Sequence, residues 1–279
     1  MHRRGPALAG VLSGLLLLGT SPAAGQDGPI ELADDPFEIT DPIAAAPGSA
    51  EIGFTGVYER ARRGRVRGTG AGDVEMEFGV APRLELRLGQ SGAYGNLETR
   101  RRLGTIPELT EGPVETERAR WGGETRLGAL YQLSEGRGAA PAMGLLGRVR
   151  TLYGPGRTAY EAEGVVLIGK TIVRGPLPFG AHVNLGWTTR LDPQPGERTN
   201  RYLFNVSLGQ AVSNDTALVV TYARSQQERG DRDYSLVQAG FRHRLPGGRA
   251  VIGLAAGAGL TRDSPRFQIA LALQWTLSE

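Results

Sequence analysis

The residues with chemistry to offer come in pairs spaced two apart. Glu75 and Glu77, Glu85 and Arg87, Glu124 and Arg126, Arg148 and Arg150, and His182 and Asn184 are the clearest, and Gln268 shares a parity with Arg266 and Gln274. That spacing puts both members of a pair on one face of an extended strand. Strictly alternating charges make a wet wall, and a row of arginines on such a wall biases what permeates along it. These eleven residues are therefore candidates for lining a permeation path. Arginines on the surface of a soluble sheet are the competing account of the Arg148 and Arg150 pair.

Catalysis has less to build on. A barrel lipid hydrolase combines a strand serine and histidine with an asparagine. His182 and Asn184 supply two of the three, but no serine can be placed beside them from sequence. Hydrogen-bonded lumen residues are the simpler reading, so no enzymatic activity is expected. There is no cysteine, which excludes thiol catalysis and cysteine-based metal sites. His182 and His243, without a carboxylate cluster, make a poor metal site; neither a metal nor a cofactor is expected.

Gly164-Val165-Val166-Leu167-Ile168-Gly169-Lys170-Thr171 matches the phosphate-loop pattern letter for letter. A phosphate cradle needs a turning backbone followed at once by a helix. Val-Val-Leu-Ile is an extended, β-branched run, and Gly175-Pro176 arrives too soon for a helix. The stretch reads as a strand.

The elements that must hold these residues are long and alternating. In Arg266–Leu277 the side chains of Phe267, Ile269, Leu271, Leu273, Trp275 and Leu277 take one parity and polar or small ones the other. Twelve residues at about 3.3 Å each, tilted by about 40°, span the apolar band of a bilayer. The same alternation recurs in Ala50–Arg60, Gly72–Ala81, the run from Leu84, Trp121–Leu133, Pro141–Tyr153 and Ala159–Val173. It continues in Ala181–Arg190, Tyr202–Val212, Ala217–Gln227, Tyr234–Arg244 and Arg249–Leu260. The fold class is thus all-β: an antiparallel transmembrane β-barrel of about twelve strands, with short periplasmic turns and longer extracellular loops. Across the Ala81-Pro82-Arg83 turn, Glu77 is expected to face Arg87. The next hairpin is expected to set Glu124 near Arg150 and Arg126 near Arg148. Trp121, Tyr131, Tyr153, Trp187, Phe267 and Trp275 fall near strand ends, as membrane-interface aromatics do.

Domain organisation follows from composition. His2, Arg3 and Arg4, the apolar run Ala7–Gly19 and the small residues Ala23 and Gly25 make residues 1–25 a cleaved signal peptide, too short to span a membrane. Residues 26–48, acidic and rich in proline, are expected to be a periplasmic lead-in or plug, and residues 49–279 the barrel. The 32 basic residues, less Arg3 and Arg4, leave 30 against 29 acidic in the mature chain. So balanced a charge gives no case for a nucleic-acid partner. Gly95–Ala119 breaks the alternation and should be an extracellular or inward-folded loop. Gly253, Ala255, Gly257 and Gly259 share a parity, which marks a bend or something packed close inside. Ala270 and Ala272 leave room in the lumen of the closing strand.

Three stretches also resemble one family, the outer-membrane transporters named for the meta-pathway of phenol degradation. Gly72–Leu88 is similar to their early hairpin, Ala181–Trp187 to their H-x-N-x-G strand, and Gly257–Trp275 to their final hairpin. The resemblance covers most of the mature chain in order. It implies a barrel that passes small, often aromatic, compounds; the family name reflects gene context and establishes no phenol substrate. Such barrels commonly finish on an aromatic residue, whereas this chain ends Thr276-Leu277-Ser278-Glu279. The expected function is an outer-membrane channel for passive diffusion or uptake of small solutes, aromatic or apolar ones among them. A structural or adhesive barrel with a plugged lumen is the alternative, and a lipid hydrolase a weaker one. The partners implied are outer-membrane lipid, the barrel-insertion machinery and a small-molecule solute.

Overall fold

In the computed structural model, residues 30–97, 119–154, 158–195 and 197–278 are described; the expected signal peptide and most of the Gly95–Ala119 loop lie outside them. Twelve strands alternate in direction: β1 (Ala50–Arg60), β2 (Gly68–Ala81), β3 (Leu84–Gly95), β4 (Arg120–Glu135), β5 (Ala142–Tyr153) and β6 (Ala159–Val173). They continue as β7 (Phe179–Arg190), β8 (Asn200–Ser213), β9 (Thr216–Ser225), β10 (Tyr234–Arg244), β11 (Ala250–Gly259) and β12 (Phe267–Ser278). Each pairs with its sequence neighbours and β12 pairs with β1, so the sheet is a closed barrel. Closure leaves no unpaired strand edge in the bilayer.

The apolar parity of the strands faces outward. Trp121 is 71% exposed, Leu271 58% and Trp187 56%, values that only a lipid environment makes reasonable for side chains this size. Trp121, Tyr153, Trp187 and Phe267 stand toward the long-loop end of their strands, and Tyr131 and Trp275 toward the short-turn end. Tyr153 lies across the outward face of Gly123, where a Cβ would meet its ring at 2.8 Å. The phosphate-loop look-alike is regular strand throughout, within β6.

Cross-strand register agrees with the sequence in one hairpin and departs from it in the next. Glu77 pairs with Arg87 across β2 and β3. Between β4 and β5, however, Arg126 lies opposite Arg150 and Gly128 opposite Arg148, with a bulge between Gln132 and Ser134. The expected Arg126 and Arg148 pairing is thus corrected by two residues: the hairpin closes with Glu135 opposite Ala142, farther along the chain than expected, and the one-residue bulge recovers only part of the difference.

Candidate functional site

The lumen is built from the inward parity of all twelve strands together with residues 30–49. This segment enters beside the β8–β9 turn, where the Ile30 N–H donates to the Asn214 carbonyl at 2.9 Å. The Leu32 and Ala33 carbonyls approach Gly209 on β8 and Arg242 on β10. Asp34 accepts from Gln274 on β12 at 3.0 Å, Asp35 from Thr55 on β1 at 3.1 Å, and Pro36 sits over Gly253 on β11. Phe37 and Ile39 pack with Val219 on β9, Ala255 on β11 and Ala270 on β12. Thr40 and Asp41 meet β7, and Pro42 abuts Gly144 on β5 and Gly169 on β6. The Ala44 N–H donates to Gln132 on β4, the Ala45 N–H to Glu85 on β3 at 2.8 Å, and the Ala46 carbonyl reaches Gly79 on β2. Twenty residues of chain touch every strand.

Glycine makes that route possible. A Cβ on Gly209 would stand 2.5 Å from the Leu32 carbonyl oxygen and one on Gly144 2.8 Å from that of Pro42; on Gly79 it would overlap the Ala46 carbonyl. The inward stripe on β11 serves the same end, with Gly253 under Pro36 and Ala255 under Phe37. The room expected in front of Ala270 is therefore occupied, which corrects the inference that small residues on the closing strand leave an open pore. Their smallness admits another side chain.

Above the segment, toward the long loops, the lumen wall is charged. Arg87 pairs with Glu77 at 2.8 Å and with Glu85 at 2.5 Å. Arg126 binds Asp73 at 2.5 Å, Glu75 at 2.7 Å and Glu124 at 3.0 Å. Arg148 pairs with Glu163 at 2.5 Å, while Arg150 reaches Glu161 at 2.8 Å and Glu163 at 3.2 Å. Arg190 and Arg201 extend the ladder to Glu161. Acids and arginines bond one another along this one wall, within a strand, between adjoining strands or one strand apart. Gln268, on the opposite wall, accepts from Gln238 at 2.6 Å and donates to Glu59 at 2.8 Å.

His182 and Asn184 hold the inner segment. Asn184, with its amide turned to match its neighbours, donates to the Thr40 carbonyl at 3.1 Å and accepts from the Thr40 N–H at 2.8 Å. His182 Nε2 lies 3.4 Å from Asp41 Oδ2. The serine that a hydrolase would need stands opposite His182 on β8: it is Ser207. Ser207 is fully buried, and among the described residues neither its Oγ nor His182 Nδ1 has a hydrogen-bond partner.

Asp73, Glu161, Glu163, Arg190 and Arg201 belong to the same wall and were not singled out from sequence. The signal for two of them was there: Glu161 and Glu163 share the parity opposite Tyr160, which faces lipid. The apolar inward cluster of Leu130, Leu146, Val165, Leu167 and Leu203 had no such signal. A cavity of about 150 Å³ remains between the charged wall and the segment, floored by residues 34–40.

Among solved structures, the chain is similar to the crystal structure of an outer membrane channel from Pseudomonas putida F1. The TM-score is 0.58 at 11% identity, over 86% of this chain and 100% of that one. Matches to the translocator domain of the autotransporter NalP from Neisseria meningitidis have a TM-score of 0.48 at 11% identity, over 83% of this chain and 89% of that one. For the KdgM porin the figures are 0.47 and 8%, over 81% and 98%. No protein-family model and no curated protein matches the sequence. The barrel fold is that of outer-membrane proteins.

Proposed function

We propose that this protein is an outer-membrane channel for small solutes whose lumen is closed at rest by residues 30–49. The observation that carries the reading is the contact of one short segment with all twelve strands. A barrel needs no such filling to satisfy its backbone, and the segment is held mostly through single hydrogen bonds and glycine contacts, which an outward movement can break without opening the sheet. The cavity above it is well below the roughly 300 Å³ where drug-sized ligand sites begin. Its floor carries Phe37 and Ile39 and its wall ionised groups, a combination suited to a single-ring or smaller compound with a polar substituent. The resemblance to phenol meta-pathway transporters supports the same size and class.

The test is a comparison in planar bilayers of the full chain with a variant lacking residues 30–46. The full chain should conduct rarely and the variant steadily. A filled lumen also favours a structural or adhesive barrel. That reading holds if the truncated variant, folded by heat-modifiability on gels, stays silent at high protein loading.

A further inference from the structure

Among the described residues, a dense run of exposed arginines lies outside the lumen, at the long-loop end over β12, β1 and β2. The connection after β1 reads Arg60-Ala61-Arg62-Arg63-Gly64-Arg65-Val66-Arg67, and all five arginines are exposed. Arg266, also exposed, adjoins them, its backbone N–H donating to the Arg60 carbonyl at 2.6 Å. Among the described residues, the acid paired with them is Asp263, 2.6 Å from Arg63 and 3.2 Å from Arg262. Glu59 is buried on the lumen side. Arg62 is turned to the Gly259 carbonyl and Arg67 to that of Gly64. Arg60, Arg65 and Arg266 make no side-chain hydrogen bond or ion pair among the described residues. The short turns at the other end are built differently, with single exposed arginines on separate turns: Arg83, Arg137, Arg174 and Arg249.

Position decides what such a patch meets. Arg60 is on the lipid-facing parity of β1, two residues beyond Tyr58 and so about 7 Å farther along the strand. The Tyr58 ring packs against Phe267 of β12, centroids 6.0 Å apart. Aromatic rings on the outer face mark the edge of the hydrocarbon, so Arg60 stands at headgroup level in the outer leaflet, with exposed Arg65 and Arg266 on the rim beside it. Guanidinium groups bind phosphate through paired, charge-assisted hydrogen bonds, and below them the ring pair offers an apolar surface to acyl chains.

We infer that this rim binds the phosphorylated headgroup of an outer-leaflet lipid. A lipid is the occupant, in preference to a free anion, because the arginines continue an acyl-facing aromatic surface and Arg60 points into the bilayer plane.

Native mass spectrometry of the full-length protein in detergent reads this directly, with lipid A carrying two phosphates, its dephosphorylated form and inorganic pyrophosphate as probes. The phosphorylated lipid should be retained about tenfold more than the dephosphorylated one. Arg60→Gln with Arg65→Gln and Arg266→Gln should lower retention about tenfold, while Arg83→Gln with Arg174→Gln and Arg249→Gln should leave it unchanged. Should the first set fold poorly, Arg62→Gln with Arg65→Gln, confined to the loop, should still lower retention about threefold. Equal retention of both lipids, no change in either rim variant, or full displacement of lipid by pyrophosphate would each overturn the proposal.

Discussion

His182 Nε2 stands 3.4 Å from Asp41 Oδ2, tying the first third of β7 to the inner segment at the point where that segment leaves the cavity floor. Asn184, two residues along the same strand face, holds the backbone of Thr40. The pair therefore fixes two successive residues of the segment through one strand. Replacing both with alanine removes about three hydrogen bonds, each worth about 1 kcal/mol. The sheet is untouched, since the backbone ladder does the closing. We expect His182→Ala with Asn184→Ala to raise the fraction of time spent conducting several-fold in single-channel records, with no change in the heat-modifiable gel shift.

The glycines give an independent handle on the same equilibrium. Gly209→Leu sets a side chain where the Leu32 backbone now lies, and Gly79→Leu does so at Ala46. Overlap of this kind must expel the segment or distort the wall, and the segment is the softer of the two. Gly70 looks onto open space outside, so Gly70→Leu is the matched control. The inward substitutions should increase proteolytic cleavage within residues 30–49 about tenfold, and the control should leave it at the parent rate.

What was legible in the sequence was the side of the sheet that meets lipid. Period-two alternation is enforced wherever one face lies against acyl chains, so the strands and the Glu77 and Arg87 pair could be read directly. The Arg126 and Arg148 pairing could not, because the register depends on where the turn closes, at Glu135 opposite Ala142, and on a bulge near Gln132, and nothing local announces either. The interior was harder still. Leu130, Leu146, Val165 and Leu167 are apolar and inward, so β6 is apolar on both faces from Val165 to Ile168 and its parity says nothing there. The route of residues 30–49 rests on carbonyls meeting glycines far apart in the chain. The β11 stripe was the one local sign that something packs close inside. Ala270 and Ala272 carried the same signal, but small residues fit an open pore as well as a filled one.

Arg126 is the hub of the charged wall. It answers Asp73, Glu75 and Glu124 at once, with its side chain only 10% exposed. Removing it leaves three carboxylates close together with their shared cation gone. Breaking a buried pair from one side costs about 3–5 kcal/mol. Arg126→Ala should therefore lower the unfolding free energy read from denaturant titration by an amount at or below that range, because the side chain is partly exposed. Adding Glu75→Gln and Asp73→Asn should restore most of the loss, since the uncompensated charge goes too. A triple variant no better than Arg126→Ala would show that packing, and not charge, dominates at this position.

Asp263 does for the long-loop end what Arg126 does for the lumen, joining three connections through one side chain. It accepts from the Arg232 N–H at 2.9 Å and pairs with Arg63 and Arg262. Partial burial pushes its pKa up, but the Arg232 N–H and the two guanidiniums outweigh burial and hold it below the usual carboxylate range. A carboxylate depressed in the folded protein stabilises it at every pH above the unfolded value of about 3.9. That stabilisation is lost as pH falls through the lower, folded value. The contribution is modest, because Arg63 and Arg262 are more than half exposed and solvent screens the pairs. Its signature is local: hydrogen exchange in the 226–233 and 260–266 connections, corrected for intrinsic rates, should quicken as pH falls below about 4 while the strands stay protected. Asp263→Asn should show the faster exchange already at pH 6 and no further change on acidification. Exchange that speeds up in the variant as steeply as in the parent would assign the acid response to another group.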